Sequence, residues 1–407
     1  MAKTVMLAII SILLVTAIIL QPDAAFQSSL QGLTVWWNII FPGLLPFLVL
    51  FELMAAFGLA HAVSTLLQPA MGRLFKLPGE AALGIVLGWL GGYPAGAEAA
   101  ASLRKRKLVT KQQGQRMLAL AHMPNPLFML VVIGAGFLHK PIVGSMIAAA
   151  VWLSSLWLML AVTLFSRDRI ERESPAAKED EPIRRLLERA AEALQRGREQ
   201  DGRSFGKALG DSVSASFQKL MMIGGFMIFA AVIAKLSEPV FGPLLSVSGL
   251  SFLTQAFFEG HLGAYAAAVW DGPGSGSLIN AAAIAGVLAW SGLSGILQAG
   301  YAIAGTDLKL LPFIAIRTAH ALHAFAFMLL LWKPVTLLLR MILPPGTAPA
   351  FLPGDGYELE AAAAVTVKAG DLPLLWPYSV TACFMLAFIG LMISAVLIPY
   401  RRTGRSV

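Results

Sequence analysis

An otherwise apolar run from Ala81 to Leu103 is interrupted by Gly91-Gly92-Tyr93-Pro94-Ala95-Gly96. A second run, from Leu245 to Val269, is interrupted by Phe258-Glu259-Gly260-His261-Leu262-Gly263. A straight helix through either stretch would hold glycines and a proline, or ionised groups, at the depth of a lipid bilayer, where both are costly. The two stretches therefore predict helical hairpins that turn inside a membrane.

The composition agrees with a membrane location. Of the 407 residues, 57% are hydrophobic and only 13% are charged, and the mean hydropathy is +0.72. An average soluble domain has about a quarter of its residues charged. The net charge of +8 arises largely from lysine and arginine at the ends of apolar runs. We therefore expect the bilayer, and not nucleic acid, as the partner.

Eight apolar runs are long enough to cross a bilayer, which takes roughly 20 residues. They are Val5–Leu20, Val35–Leu59, Met117–Leu138, Ile142–Phe165, Val213–Ala234, Ile279–Ala299, Leu311–Trp332 and Leu375–Ile398. The first resembles a signal peptide, but no cleavage site follows it, so we interpret it as a retained helix.

The positions of the basic residues set the direction of each run. The N-terminus, the loop Arg104–Lys107 and the C-terminal tail are expected on the cytoplasmic side, and the acidic segment 345–371 outside. Ala81–Leu103 must then return to the cytoplasmic side and Leu245–Val269 to the outside. Each half becomes a span, a re-entrant hairpin, a broken span and a span, in opposite orientations. Inverted repeats of this kind place a substrate site near the bilayer midplane.

The predicted fold class is an all-α polytopic membrane protein with two inverted repeats, similar to elevator transporters. The simpler alternative is that glycine and proline only allow close helix packing. The predicted organisation is an N-terminal transmembrane helix and loop (1–32), a first repeat (33–165), a charged cytoplasmic linker (166–209), a second, inverted repeat (210–344), an external loop (345–371) and a C-terminal transmembrane helix with a basic tail (372–407). Apolar residues at helical spacing in Ile183–Leu194 predict an amphipathic helix in the linker.

Candidate binding residues of the first half surround its two interruptions. Gly92 and Gly96 permit a tight turn, and Pro94 suits the first turn of a helix whose free amides would face a ligand. The break at His122-Met123-Pro124-Asn125-Pro126 contains two prolines, which free carbonyls upstream. Asn125 is therefore a candidate ligand contact, the alternative being a polar residue of helix packing.

The second half supplies ionisable and hydroxyl groups. Glu259 and His261 at the hairpin turn would couple protons or orient a substrate, and the alternative is a carboxylate that caps free amides. The matching break is Trp290-Ser291-Gly292-Leu293-Ser294-Gly295, followed by Gln298. The hydroxyls of Ser291 and Ser294, with the free amides near Gly292, suit a carboxylate or hydroxyl group.

Arg317 and His320 are three residues apart and so share a helical face. Arg317 would hold a substrate carboxylate as a bidentate fork or, for structure, pair with Asp307 or Glu259. His320 and His323 lack a third ligand on that face, so no metal is expected. No P-loop, dinucleotide turn or nucleophile elbow is present, so we expect neither an enzyme nor a cofactor, other than a coupling proton or sodium ion.

These motifs in combination resemble the YlbJ family of sporulation integral membrane proteins. The first half does so through Trp36–Phe47, Gly92-Tyr93-Pro94-Ala95-Gly96 and Asn125-Pro126-Leu127-Phe128. The second half does so through Phe257-Phe258-Glu259, Leu262-Gly263, Gly292-Leu293-Ser294, Gln298, Thr306-Asp307, Pro312-Phe313, Arg317 and His320. The chain departs from the family pattern at Glu98, where a basic residue is frequent.

The resemblance implies a nucleoside-recognition Gate domain related to concentrative nucleoside transporters, with an elevator-like fold and a homo-oligomeric state. It also implies transport of dipicolinic acid across the outer forespore membrane during spore formation. Tyr93 or Trp290 would stack on such an aromatic dicarboxylate, and Arg317 or a histidine would hold its charge. We thus expect a secondary transporter of a small organic anion. The alternatives are a nucleoside or nucleobase transporter, which would use Glu259 and Gln298, and a non-transporting scaffold in spore assembly.

Overall fold

The computed structural model describes residues 2–165 and 183–342, so the predicted external loop and C-terminal helix lie outside the described residues. Fifteen α-helices and two π-helical segments form in this part of the chain, which contains no strand. The α-helices are α1 (Ala2–Leu20), α2 (Pro22–Val35), α3 (Phe41–Ala56), α4 (Leu59–Phe75), α5 (Glu80–Gly91), α6 (Tyr93–Lys105), α7 (Lys111–Ala121), α8 (Pro141–Phe165), α9 (Ile183–Asp201), α10 (Phe205–Val247), α11 (Leu253–Phe258), α12 (Gly260–Ala268), α13 (Ser277–Trp290), α14 (Gly292–Ala302) and α15 (Leu310–Ile342). The π-helical segments are Trp36–Ile40 and Phe128–Phe137.

Five described segments are long and apolar enough to cross a membrane. They are Pro22–Ala56, Pro141–Leu164, Phe205–Leu245, Ser277–Ala302 and Leu310–Thr336. Each overlaps a span predicted from the sequence, although the first begins 13 residues before the predicted Val35–Leu59. The predicted polytopic, all-helical membrane protein is confirmed. The run Val5–Leu20 forms α1, of which Ala8–Leu20 is a shorter apolar helix.

Each of the two interrupted runs forms a pair of adjacent helices. Helices α5 and α6 pack against each other and meet at Gly92, whose φ of 87° is open to glycine and strained for other residues. Helices α11 and α12 also pack together and meet at Glu259, which has an extended backbone. Helix α5 is bent by 105° from α4, so the first pair is set at an angle to the helix before it.

The two predicted breaks are also present. Helix α7 ends at Ala121, and non-helical backbone from His122 to Asn125 separates it from the helical segment that follows. Helix α13 ends at Trp290, and α14 resumes after the single residue Ser291, which has a φ of 72°. The run Met117–Leu138 is therefore divided into two short helical segments, as the sequence predicts.

Contacts at the ends of the broken helices show that they run in opposite directions. Arg104, in the last turn of α6 ahead of α7, binds both carboxylate oxygens of Asp307, in the loop after α14, at 2.7 and 2.9 Å. Lys140, after the π-helical segment, lies 3.5 Å from Ser277 at the start of α13. The beginning of one broken helix thus lies beside the end of the other, at both ends.

The linker helix α9 packs along α4. The guanidinium of Arg198 lies 5.1 Å from the centre of the Phe57 ring, and Gly197 packs against His61 and Gly58. The sequence predicts the helix in the linker but not this partner. The reason is that α4 carries polar residues such as Gln68 and does not stand out as an apolar span.

Candidate functional site

The first hairpin turn and the following break are tied together, and we call the turn at Gly92 with the break His122–Asn125 the first joint. The Asn125 side-chain amide donates to the carbonyl of Leu90 at 2.9 Å, and its oxygen accepts from the Leu127 amide at 2.8 Å. Asn125 therefore holds the end of α5 to the start of the next helix. These bonds agree with the alternative that Asn125 is a polar residue of helix packing. Asn125 also lines a cavity between the two halves.

The first proline of the break leaves a carbonyl without its helical hydrogen bond, and a tryptophan donates to this carbonyl. Pro124 has no N–H for the carbonyl four residues earlier, that of Leu120. The indole nitrogen of Trp89, on α5, donates to this carbonyl at 2.7 Å. The first hairpin thus supplies the hydrogen bond that the broken helix lacks.

The second proline has the same effect on His122, and Arg317 supplies the missing donor. Pro126 cannot donate to the His122 carbonyl, and Nη1 of the fully buried Arg317 donates to it at 2.8 Å. Neither Nε nor Nη2 of Arg317 has a hydrogen-bond partner within residues 2–165 and 183–342. The two acids proposed from the sequence as its structural partners are bound elsewhere, Asp307 to Arg104 and Glu259 to His261.

The second hairpin turn has a carboxylate at its centre, and we call the turn at Glu259 with the break at Ser291 the second joint. Oε2 of Glu259 accepts from the Leu262 amide at 2.6 Å, so the carboxylate caps α12 as the structural alternative predicts. Its Oε1 lies 2.7 Å from Nδ1 of His261. Glu259 is only 4% exposed, so the cap and the histidine partner are both needed to offset the loss of water.

The turn and the break of the second joint are in backbone contact. A Cβ at Gly292 would lie 2.6 Å from the Cα of Glu259, and the φ of 72° at this position favours glycine. The indole nitrogen of Trp290 donates to the carbonyl of Phe257, at the end of α11, at 3.2 Å. The first joint has a matching bond, from the Asn125 side chain to the last turn of α5.

The two joints also contact each other. Nε2 of His122 lies 3.3 Å from Oγ of Ser291, which joins one break to the other. The hydroxyl of Tyr93, from the first hairpin, donates to the carbonyl of Leu288 on α13 at 2.6 Å. The sites predicted separately in the two halves therefore form one region.

A cavity of about 70 Å³ lies in this region. One wall comes from the two joints and the helices that leave them, through Gly91, Gly92, Tyr93, Ala95, Glu98, Asn125, Glu259, His261, Ser291, Ser294, Gly295 and Gln298. The opposite wall comes from α3 and α10, through Leu44, Leu48, Lys219, Met222, Ile223 and Phe226.

Eight of the residues predicted as binding residues line this cavity, namely Gly92, Tyr93, Asn125, Glu259, His261, Ser291, Ser294 and Gln298. Gly96 and Gly292 pack behind it against Ala121 and Glu259, and Pro94 lies in the first turn of α6. Arg317 and His320 lie behind the breaks, and Nε2 of His320 donates to the carbonyl of Val151 at 2.9 Å.

The joint wall presents donors that have no side-chain partner in the part of the chain that the structure describes. Helices α6 and α14 begin at the cavity without a side-chain cap, so no capping side chain competes with a ligand for their first amides. Ser294 is 7% exposed, and its hydroxyl has no hydrogen-bond partner in the described part of the chain. The carboxylates of Glu98 and Glu259 lie in the same wall, so the site combines anion-binding amides with two acids.

Sequence reasoning did not find the charged residue of the opposite wall. Lys219 lies in the run Val213–Ala234, which reads as an ordinary span, and it pairs with Glu52 of α3. The signal was available, because an ionisable residue inside a membrane segment is a candidate functional residue by default.

The sequence is similar to a known protein family and to a known membrane protein. Residues 38–141, which include the first joint, match the family described as Gate, nucleoside recognition. The chain is 32% identical over 348 residues to the sporulation integral membrane protein YlbJ of Bacillus subtilis strain 168, covering 82% of this chain and 84% of that protein. No solved structure matches the chain significantly. The chain therefore belongs to the YlbJ family of sporulation integral membrane proteins.

Proposed function

We propose that this protein is a secondary transporter, and not an enzyme, that moves a small organic anion by alternating access. The observation that carries the proposal is the meeting of two similar joints, from two halves of the chain, at one cavity. The broken helices that form them run in opposite directions, which supports the inverted repeats predicted from the sequence. Discontinuous helices that meet in this way are the usual substrate site of secondary transporters.

The size of the cavity supports a moving wall. Small-molecule sites usually enclose about 300–1,000 Å³, and this cavity has about 70 Å³. A substrate therefore requires the wall of α3 and α10 to separate from the wall of the joints. Displacement of the joint wall as one bundle past α3 and α10 is the elevator motion that we propose.

For the substrate we propose dipicolinic acid or a similar aromatic carboxylate, carried at the outer forespore membrane. The uncapped amides of α6 and α14, the free hydroxyl of Ser294 and the cation of Lys219 favour a carboxylate, and Tyr93 offers a ring for stacking. Glu259 opposes an anion when it is ionised. Its bond to His261 gives it a partner for a proton that would enter with the substrate.

The specific test is uptake of labelled dipicolinate into proteoliposomes that contain the purified protein. We expect saturable uptake that is lost in Asn125→Ala and Glu259→Ala, because both side chains line the cavity. Thr318→Ala is the matched control, since this exposed hydroxyl on α15 binds only the carbonyl of Ile314 in its own helix. Folded protein that takes up neither dipicolinate nor a nucleoside would favour the scaffold alternative.

A nucleoside is the second candidate, favoured by two observations. The family match carries the description nucleoside recognition, and the acceptors Glu98, Glu259 and Gln298 in the cavity suit the hydroxyls of a ribose. Uridine added as a competitor separates the two candidates. Competition by uridine with no uptake of dipicolinate would replace the anion by a nucleoside.

A further inference from the structure

One face of α10 forms much of the wall opposite the joints. Lys219, Met222, Ile223 and Phe226 are spaced three, four and seven residues from the first, so they share one side of the helix. Among the described residues, Lys219 is the only charged one that this wall contributes to the cavity. A single cation among apolar side chains therefore lines the same cavity as Ser294.

The partner of Lys219 does not line the cavity. The ammonium binds the carboxylate of Glu52 on α3, and the two side chains are 36% and 31% exposed. Both residues lie in segments long enough to span a membrane, Phe205–Leu245 and Pro22–Ala56. Ion pairs with side chains exposed to this extent usually contribute only about 0–1 kcal/mol, so a purely structural purpose explains this one poorly. Ionisable residues in membrane segments commonly mark the path of a substrate.

We propose that Lys219 is the counter-ion of the transported anion and that Glu52 holds it while the site is empty. A substrate carboxylate takes the place of the Glu52 carboxylate, while a second carboxylate of the same molecule meets Ser294 and the first amides of α14. The lysine is then paired both with and without substrate. The displaced Glu52 carboxylate, with a side chain 31% exposed, must be stabilised by water or by a proton once it loses the lysine. This inference rests on the proposed function and specifies its substrate as a small dicarboxylate.

The two partners of the pair then have opposite effects on binding. Lys219→Gln removes a charge-assisted hydrogen bond to the substrate and should raise the Kd for dipicolinate about tenfold to a hundredfold. Glu52→Gln removes the competitor for the lysine and should lower the Kd severalfold. A structural pair predicts that both single variants lose binding and that the double variant recovers it, whereas a counter-ion predicts a double variant like Lys219→Gln.

The experiment measures binding to the purified full-length protein by titration calorimetry, together with uptake into proteoliposomes. The probes are dipicolinate, picolinate with a single carboxylate, and the uncharged pyridine-2,6-dicarboxamide. Wild-type protein should bind dipicolinate more tightly than the dicarboxamide. In Lys219→Gln, the ratio of the dissociation constant of the dicarboxamide to that of dipicolinate should fall towards one. Lys235→Gln is the control, because this lysine lies on the same helix, pairs with Glu238 and does not line the cavity.

The outcomes separate this inference from the proposed function. Wild-type transport of dipicolinate with unchanged binding and selectivity in Lys219→Gln would overturn the inference alone. Equal losses in both single variants with recovery in the double variant would also overturn it, in favour of a structural pair. Wild-type protein that binds none of the carboxylates would overturn the proposed anion transport and the inference with it.

Discussion

The first joint and the second joint share a construction but differ in the groups that complete it. In both, the turn of a helical hairpin packs against a break in a later helix. The first is completed by neutral amides and an indole, with one arginine behind the break. The second is completed by a buried carboxylate that also binds a histidine. The shared geometry therefore does not dictate the chemistry, and of the two joints only the second is built around a carboxylate.

The largest effect is expected from Gly292→Ala. The new methyl group would meet the Glu259 backbone at 2.6 Å in a conformation with φ of 72°, so the second joint would have to separate. We expect a loss of about 3 kcal/mol or more of folding free energy, measured as a lower midpoint of thermal unfolding in detergent. Gly225→Ala is the control, since nothing lies within 4 Å of its added methyl group. Equal midpoints for the two variants would contradict the contact.

A pair of tryptophan substitutions compares the joints directly. Trp89→Phe keeps an aromatic ring but leaves the Leu120 carbonyl without its 2.7 Å donor. The cost should be about 1–3 kcal/mol, because this acceptor has lost its helical partner and is buried. Trp290→Phe removes a 3.2 Å bond at a more exposed position, and should cost under about 1 kcal/mol. Thermal unfolding followed by circular dichroism tests the order, and the reverse order would show that the first joint does not depend on this donor.

The charge of the second joint can be separated from its shape. Glu259→Gln retains an oxygen for the Leu262 amide but removes the negative charge that lies beside His261, so uptake should fall severalfold. Asn125→Ala loses both hydrogen bonds that tie the first joint together, so uptake should be lost. Initial uptake rates measure both, and full uptake in Glu259→Gln would show that transport does not need the charge of the second joint.

The smallest effect is expected at the far ends of the broken helices. The hydrogen bond from Arg104 lowers the pKa of Asp307 below its ordinary 3.8 and raises the pKa of Arg104. A carboxylate with a lowered pKa contributes stability that is present above its unfolded pKa and is lost as the pH falls through the folded value. Asp307→Asn should therefore lower the unfolding midpoint slightly at pH 5–7, and the difference from wild type should shrink as the pH falls well below 3.8. A difference from wild type that persists at the lowest pH would point to a role beyond the ion pair.

The sequence predicts the joints well because the signals are local. Glycine and proline forbid a continuous helix at Gly92 and Pro124, and ionisable residues at Glu259 are costly in a bilayer, so the interruptions are visible without knowing the fold. The charge of the loops then predicts a direction for each segment. All four interruptions predicted in this way are present in the described chain.

The remaining features depend on contacts between distant residues. Nothing in the sequence near Trp89 indicates that its indole donates to the Leu120 carbonyl, which Pro124 leaves without a helical partner. Nothing near Arg317 indicates that it donates to the His122 carbonyl, which Pro126 leaves without one. The partner of Lys219 is 167 positions away in the sequence. The opposite wall of the cavity comes from α3 and α10, whose apolar residues look the same whether they face lipid or a substrate.

The bonds from Arg317 to the His122 carbonyl and from Tyr93 to the Leu288 carbonyl each join residues 195 positions apart. During synthesis at about 5–20 residues per second, the earlier partner waits roughly 10–40 s for the later one. The break at Pro126 therefore enters the bilayer with an unsatisfied carbonyl, and water or the insertion machinery must occupy it in the interval. The amino-terminal half made alone should be a target of membrane proteases, and synthesis of the carboxy-terminal half as a separate chain should protect it.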